Sequence, residues 1–225
     1  MKNIAVAIDG PAGSGKSTVA KKIASKLNIV YIDTGAMYRT VAFCCKKMGL
    51  DTTKEEDVVS AIPKISMDIK QENGVQKIYV DGEDVTEKIR TAEMGKGASE
   101  VAVILPVREK LVMLQRQLAE GTSVIMDGRD IGTNVLPNAQ VKIYLNASVD
   151  ERANRRCGEL EKLNESYDFE SIKKQIEERD YNDTHRKHNP LMKADDAVEI
   201  DTTGMSIDEV CEKIEKIIKE KSCEE

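Results

Sequence analysis

The stretch that most constrains this chain is Gly10-Pro11-Ala12-Gly13-Ser14-Gly15-Lys16-Ser17, which matches G-x-x-x-x-G-K-S. Its context supports the match. Residues 4–8 form a short apolar run rich in β-favouring side chains, and Val19, Ile23, Ala24 and Leu27 then recur at helical spacing, so the order is strand, glycine loop, helix. Glycines there let successive backbone N–H groups turn inward around a phosphate, and the helix N-terminus adds positive potential. Lys16 can reach the outer oxygens of a bound triphosphate and the Ser17 hydroxyl can ligate Mg²⁺. Gly10 to Ser17, together with Thr18 at the start of the helix, make up the predicted nucleotide cradle.

Further short apolar runs at 29–32, 124–126, 141–145 and 197–200 are separated by helical spacing, for example Met37, Val41, Cys44 and Met48. Five buried strands alternating with helices predict an α/β fold: a P-loop core whose five-stranded parallel sheet is flanked by helices. At 225 residues and 40% apolar, the chain reads as one domain over 1–225. Two excursions interrupt it. Ile65, Met67 and Ile69 alternate with polar residues, Asn73-Gly74 supplies a tight turn, and Ile78 and Val80 alternate again, which predicts a β-hairpin inserted within 63–90. Residues 152–166 carry Arg152, Arg155 and Arg156 and then Gly158, Asn164 and Ser166, the composition of a mobile arginine-rich lid. At the other end, Ser206 with Glu209 forms a capping box before an amphipathic helix.

Charge and composition exclude several classes. A net charge of -6 and a pI near 5.3 argue against a surface that seeks nucleic acid, and Trp is absent from the chain. No apolar run reaches the roughly 20 residues that span a bilayer, so no membrane role and a cytoplasmic location are expected. Five scattered cysteines without C-x-x-C spacing read as free thiols, and His185 with His188 is a poor metal pair.

Phosphate-binding and acidic residues recur at strand ends. Asp127 closes the run 124–126, where a carboxylate holds Mg²⁺ through its waters. Thr34 and Arg39 lie in the first turns of the helix that follows the second strand. Arg129 and Asp130 emerge at the carboxyl edge of the sheet, where ligands of open α/β sheets bind. Arg179, Asp183 and Arg186 are spaced to share one helix face.

Taken in order, G-P-A-G-S-G-K-S, D-T-G-A-M-Y-R, the segment from Ser99 to Arg108, D-G-R-D and E-R-D-Y-N-D-T-H-R resemble the bacterial cytidylate kinases over nearly the whole chain. The resemblance implies transfer of the γ-phosphoryl group of ATP to CMP or dCMP with Mg²⁺, by a monomer. It further implies an acceptor phosphate held by Thr34, Arg39, Arg129 and Arg186, a cytosine read by Ser99, Arg108 and Asp130, and a sugar held by Arg179 and Asp183. Thr34 stands where some members carry Ser, and the hydroxyl persists. The D-G-F-P-R string of adenylate kinases, the D-R-Y/F/H string of thymidylate kinases and the N-K-x-D string of GTPases are missing.

A nucleoside monophosphate has a second phosphate pKa of about 6, so its oxygen is already a nucleophile at neutral pH and no general base is required. Catalysis then falls to charge and positioning by Lys16, Arg129 and Arg186, with Arg155 and Arg156 contributed from the lid. A kinase for another small molecule, a nucleic-acid-linked ATPase and a non-catalytic nucleotide sensor are the competing readings, and each fails if CMP stimulates CDP formation.

Overall fold

The computed structural model describes residues 3–72, 74–162 and 164–223; Asn73 of the predicted turn lies outside the described residues. In chain order the elements are β1 (Ala5–Asp9), α1 (Lys16–Leu27), β2 (Val30–Asp33), α2 (Thr34–Lys47), α3 (Glu55–Ala61), β3 (Met67–Glu72), β4 (Val75–Val80) and β5 (Glu83–Asp84). They continue with α4 (Ala92–Val101), α5 (Leu105–Ala119), β6 (Val124–Gly128), β7 (Val141–Asn146), α6 (Val149–Lys162), α7 (Phe169–His185), β8 (Val198–Asp201) and α8 (Ile207–Cys223). All five strands read as apolar runs enter one parallel sheet in the order β2-β6-β1-β7-β8.

The central strands read as continuous apolar runs because both sheet faces are covered. On one face Val6 and Ile8 pack against Val19 and Ile23 of α1 and Val210, Ile214 and Ile218 of α8. On the other, Ala7, Ile32 and Met126 meet Val112 of α5 and Ile131 and Val135 after β6. The capping box at the start of α8 forms as read: the Ser206 N–H donates to Glu209 Oε2 at 2.8 Å and the Glu209 N–H to Ser206 Oγ at 3.3 Å.

The inserted segment is a three-stranded antiparallel sheet, β3-β4-β5, rather than a hairpin alone. Its third strand, Glu83–Asp84, has no apolar alternation and so left no trace in the hydrophobic pattern. Ile78 and Val80 from this sheet join Met37 and Val41 of α2, Val58 of α3 and Leu111 of α5 in a second core, which places the insertion beside the start of α2.

The arginine-rich segment 152–166 is helical over most of its length. Through Lys162 it belongs to a regular helix, α6, whose Ala153 and Cys157 pack on Ile172 and Ile176 of α7. The same spacing that groups Arg152, Arg155 and Arg156 also gives α6 an apolar stripe, and that stripe packs it on α7.

Candidate active site

The glycine loop leaves the carboxyl end of β1 in the predicted position. Gly10 has φ +148°, and a Cβ there would stand 2.0 Å from the Leu145 carbonyl oxygen on β7, so a side chain cannot be accommodated. Lys16 folds back onto its own loop, with Nζ donating to the Pro11 carbonyl at 2.6 Å and to Ser14 Oγ at 3.3 Å. Burial holds the Lys16 pKa well below the usual lysine value, and the neighbouring Arg129 pushes it the same way.

Ser17 Oγ donates to Asp127 Oδ2 at 2.7 Å, and the Tyr31 hydroxyl donates to Asp127 Oδ1 at 2.8 Å. Burial raises the Asp127 pKa, with Asp33 nearby adding to the effect. A serine hydroxyl and a carboxylate in contact, next to a phosphate loop, form the hard oxygen donor set that Mg²⁺ takes. The residues present fit that ion.

Opposite the loop stands a cluster of arginines and aspartates drawn from four elements. Asp33 caps α2, accepting the Ala36 N–H at 2.9 Å with Oδ1 and the Arg39 guanidinium at 2.9 Å with Oδ2. Thr34 Oγ1 donates to the Asp127 carbonyl at 2.7 Å, which ties α2 to β6. Arg129 Nε donates to Asp183 Oδ2 of α7 at 2.7 Å. Burial works against the charge on Arg129, but Asp183, with Asp127 and Asp180, outweighs it and the pKa rises. Arg179, one helical turn earlier, has a buried Nε without a hydrogen-bond partner among the described residues. Burial, and then the repulsion of Arg129, lower its pKa to about 10.

Asp130 lies between two guanidiniums, accepting from Arg108 of α5 at 2.5 Å and from Arg186 at 3.0 Å, with Asn134 Nδ2 at 3.0 Å. Arg108 is 1% exposed, its guanidinium lies 5.9 Å from the centre of the Tyr38 ring, and its NH1 donates to the Ala102 carbonyl at 3.3 Å. Arg186 caps the end of α7 and also holds the Asn189 carbonyl. Gly128 permits this turn, since a Cβ there would come within 2.6 Å of Ile131 and 2.9 Å of Thr34 Oγ1. The structure thus brings together Lys16, Ser17, Asp127, Thr34, Arg39, Arg129, Asp130, Arg108, Arg179, Asp183 and Arg186. Ser99 sits half-buried on α4 and makes no hydrogen bond to this cluster.

The lid arginines divide. Arg155 is held by Glu151 and by the Thr202 hydroxyl and carbonyl, at 3.0, 3.1 and 2.7 Å, while Arg156 pairs with Glu159 at the surface. Arg152, grouped with them in the sequence, is a buried anchor: it donates to the Ala12 carbonyl of the glycine loop, to the Ala147 carbonyl and to Asp180 of α7. Asp9 was not singled out by any motif. It accepts the N–H groups of Ile131 and Gly132 at 2.8 and 2.7 Å, and burial pushes its pKa up to about 6 against those two bonds. The available signal was a carboxylate ending an otherwise apolar strand immediately before the glycine loop.

Comparison with known proteins follows the same line. The cytidylate kinase family profile matches residues 6–220. The chain is 51% identical over 219 residues to a cytidylate kinase of Leuconostoc mesenteroides, covering 97% of this chain and 98% of that protein. It is 48% identical over 219 residues to a cytidylate kinase of Bacillus cereus, covering 96% of each. Its fold is similar to that of an uncharacterized protein from Eubacterium ventriosum, with a TM-score of 0.54 at 16% identity over 96% of this chain and 99% of that one.

Proposed function

This chain belongs to the cytidylate kinase family, whose reaction is the ATP-dependent phosphorylation of CMP to CDP, and we propose how its own residues divide that work. The carrying observation is the convergence of Lys16, Arg129 and Arg179, from the glycine loop, the β6 edge and α7: Arg129 disfavours the charge on both Lys16 and Arg179, while Asp183 supports its own. Such convergence is unfavourable in the free protein and becomes favourable when two phosphate groups lie among them.

On this reading Gly10 to Thr18 cradle ATP, with Lys16 leaving the Pro11 carbonyl to meet the β/γ oxygens. Thr34, Arg39, Arg129 and Arg186 hold the acceptor phosphate, and Arg179 and Asp183 take the sugar. Asp130, Arg108 and Ser99 read cytosine, whose N4 amine suits a carboxylate and whose N3 acceptor suits a guanidinium; uracil presents the reverse pattern. Ser17 and, through water, Asp127 would hold Mg²⁺, which would supply positive charge to offset that of the phosphates. An acceptor phosphate oxygen forms the new bond to the γ-phosphorus as the bond from that phosphorus to the β–γ bridging oxygen breaks, releasing ADP. The protein moves no proton in this step; Lys16, Arg129 and Arg186 stabilise the spread charge, and Arg155 and Arg156 add to it if α6 swings in on nucleotide.

dCMP is proposed as a second acceptor, and a cytoplasmic monomer as the working form. No helix among the described residues is long and apolar enough to cross a membrane. A panel of nucleoside monophosphates with ATP and Mg²⁺ tests the assignment: CMP should give stoichiometric CDP and ADP, UMP much less, and polynucleotide no stimulation of ADP release. Faster turnover with UMP or AMP than with CMP would overturn the base-reading roles.

A further inference from the structure

β2 is an edge strand of the parallel sheet, so Tyr31 and Asp33 direct backbone polar groups away from β6. Among the described residues no strand pairs with that edge. Two glutamines of the inserted sheet do so instead. Gln71 and Gln76 face each other across the β3–β4 register, and both reach β2. Gln71 Nε2 donates to the Tyr31 carbonyl at 2.8 Å. Gln76 brackets Asp33, accepting its N–H at 2.7 Å and donating to its carbonyl at 3.2 Å. A primary amide is the side chain that reproduces the donor and acceptor of a peptide unit, so the pair stands in for a neighbouring strand.

Gln76 is not a surface residue that happens to touch β2. It is 7% exposed and shares the buried face of β4 with Ile78 and Val80, where an apolar side chain would extend the packing. What it fixes is Asp33, whose carboxylate caps α2 and accepts the Arg39 guanidinium. Arg39 has a buried Nε without a hydrogen-bond partner among the described residues, and Asp33 is the carboxylate that aims it.

We propose that Gln76 is a positioning residue for the acceptor phosphate: by holding the backbone of Asp33 it sets the carboxylate that aims Arg39, so the inserted sheet takes part in substrate binding. This rests on the reading of Arg39 as a phosphate ligand, and the test separates the two. Dissociation constants for CMP and ATP, and the inhibition constant of cytidine, are measured for the wild type, Gln76→Leu, Gln76→Glu and Arg39→Ala. Gln76→Leu keeps the buried face apolar; Gln76→Glu keeps the shape and the acceptor but sets a carboxylate against the Asp33 carbonyl.

Both Gln76 variants should bind CMP about fivefold more weakly, the net worth of one hydrogen bond, with cytidine and ATP unchanged because neither meets Arg39. The ratio of CMP to UMP activity should also hold, since the base readers lie on α4, on α5 and after β6. Loss of CMP and cytidine affinity in equal proportion would show a general loosening and overturn the proposal. Wild-type CMP affinity in both Gln76 variants, with weak binding by Arg39→Ala, would overturn it while sparing the phosphate role of Arg39. Unchanged CMP affinity in Arg39→Ala would remove that role and the proposal with it.

Discussion

Replacement of Asp130 separates its part in the fold from its part in base choice. Asp130 is 5% exposed and its carboxylate neutralises Arg108 at 2.5 Å and Arg186 at 3.0 Å, themselves 1% and 8% exposed. Asp130→Ala therefore leaves two buried guanidiniums without their common partner, and removing one member of a buried ion pair costs about 3–5 kcal/mol. For a chain of 225 residues, at about 2–4 °C per kcal/mol, Tm should fall by roughly 10 °C. Asp130→Asn keeps an acceptor for one guanidinium and should cost about 1–3 kcal/mol, leaving a folded enzyme at 25 °C. Its amide can donate to the uracil O4 as well as accept from the cytosine N4 amine, so the CMP to UMP ratio of kcat/KM should drop about tenfold, equivalent to about 1.4 kcal/mol. Calorimetry on both variants and steady-state kinetics on Asp130→Asn check the two halves. A Tm for Asp130→Ala within about 2 °C of wild type would refute the buried-pair argument. A folded Asp130→Asn with the wild-type ratio would refute base reading.

Lys16→Ala should reduce kcat by orders of magnitude without lowering Tm, because among the described residues the buried ammonium bonds only to its own loop and is repelled by Arg129; more than about a tenth of wild-type kcat would contradict this. Asp9 makes stability pH-dependent: its folded pKa of about 6 lies above the ordinary 3.8, so its favourable contribution is complete below the lower value and lost as pH rises through the upper. That shift corresponds to about 3 kcal/mol, and the difference in denaturant stability between wild type and Asp9→Asn should change by that order between pH 4 and 7; a constant difference would count against the buried carboxylate. Arg152→Ala should lower stability by about 3 kcal/mol or more by leaving Asp180 and the Ala12 carbonyl unpaired, whereas Arg156→Ala at the surface should lie within about 0.5 kcal/mol of wild type. Equal melting temperatures for those two variants would return Arg152 to a mobile role.

Much of this molecule is written locally. The glycine loop with Lys16 and Ser17, the five apolar strands, the alternation of β3 and β4 and the Ser206–Glu209 cap each depend on spacing within about a dozen residues, and such spacing survives in the linear sequence. Asp127 and Arg129 were legible for the same reason, since a strand end fixes which edge of the sheet they reach. The partners of the charged groups were not legible. Asp9 meets Ile131 and Gly132 across 122 and 123 residues, Arg152 reaches Ala12 across 140, and Gln76 reaches Asp33 across 43. Arg152 shows the consequence: its helical spacing matches that of Arg155 and Arg156, yet of the three it is Arg152 that bonds directly to both the glycine loop and α7. Periodicity tells which face of an element is buried, but which distant segment covers that face follows from strand order and helix packing, and only the assembled sheet decides them.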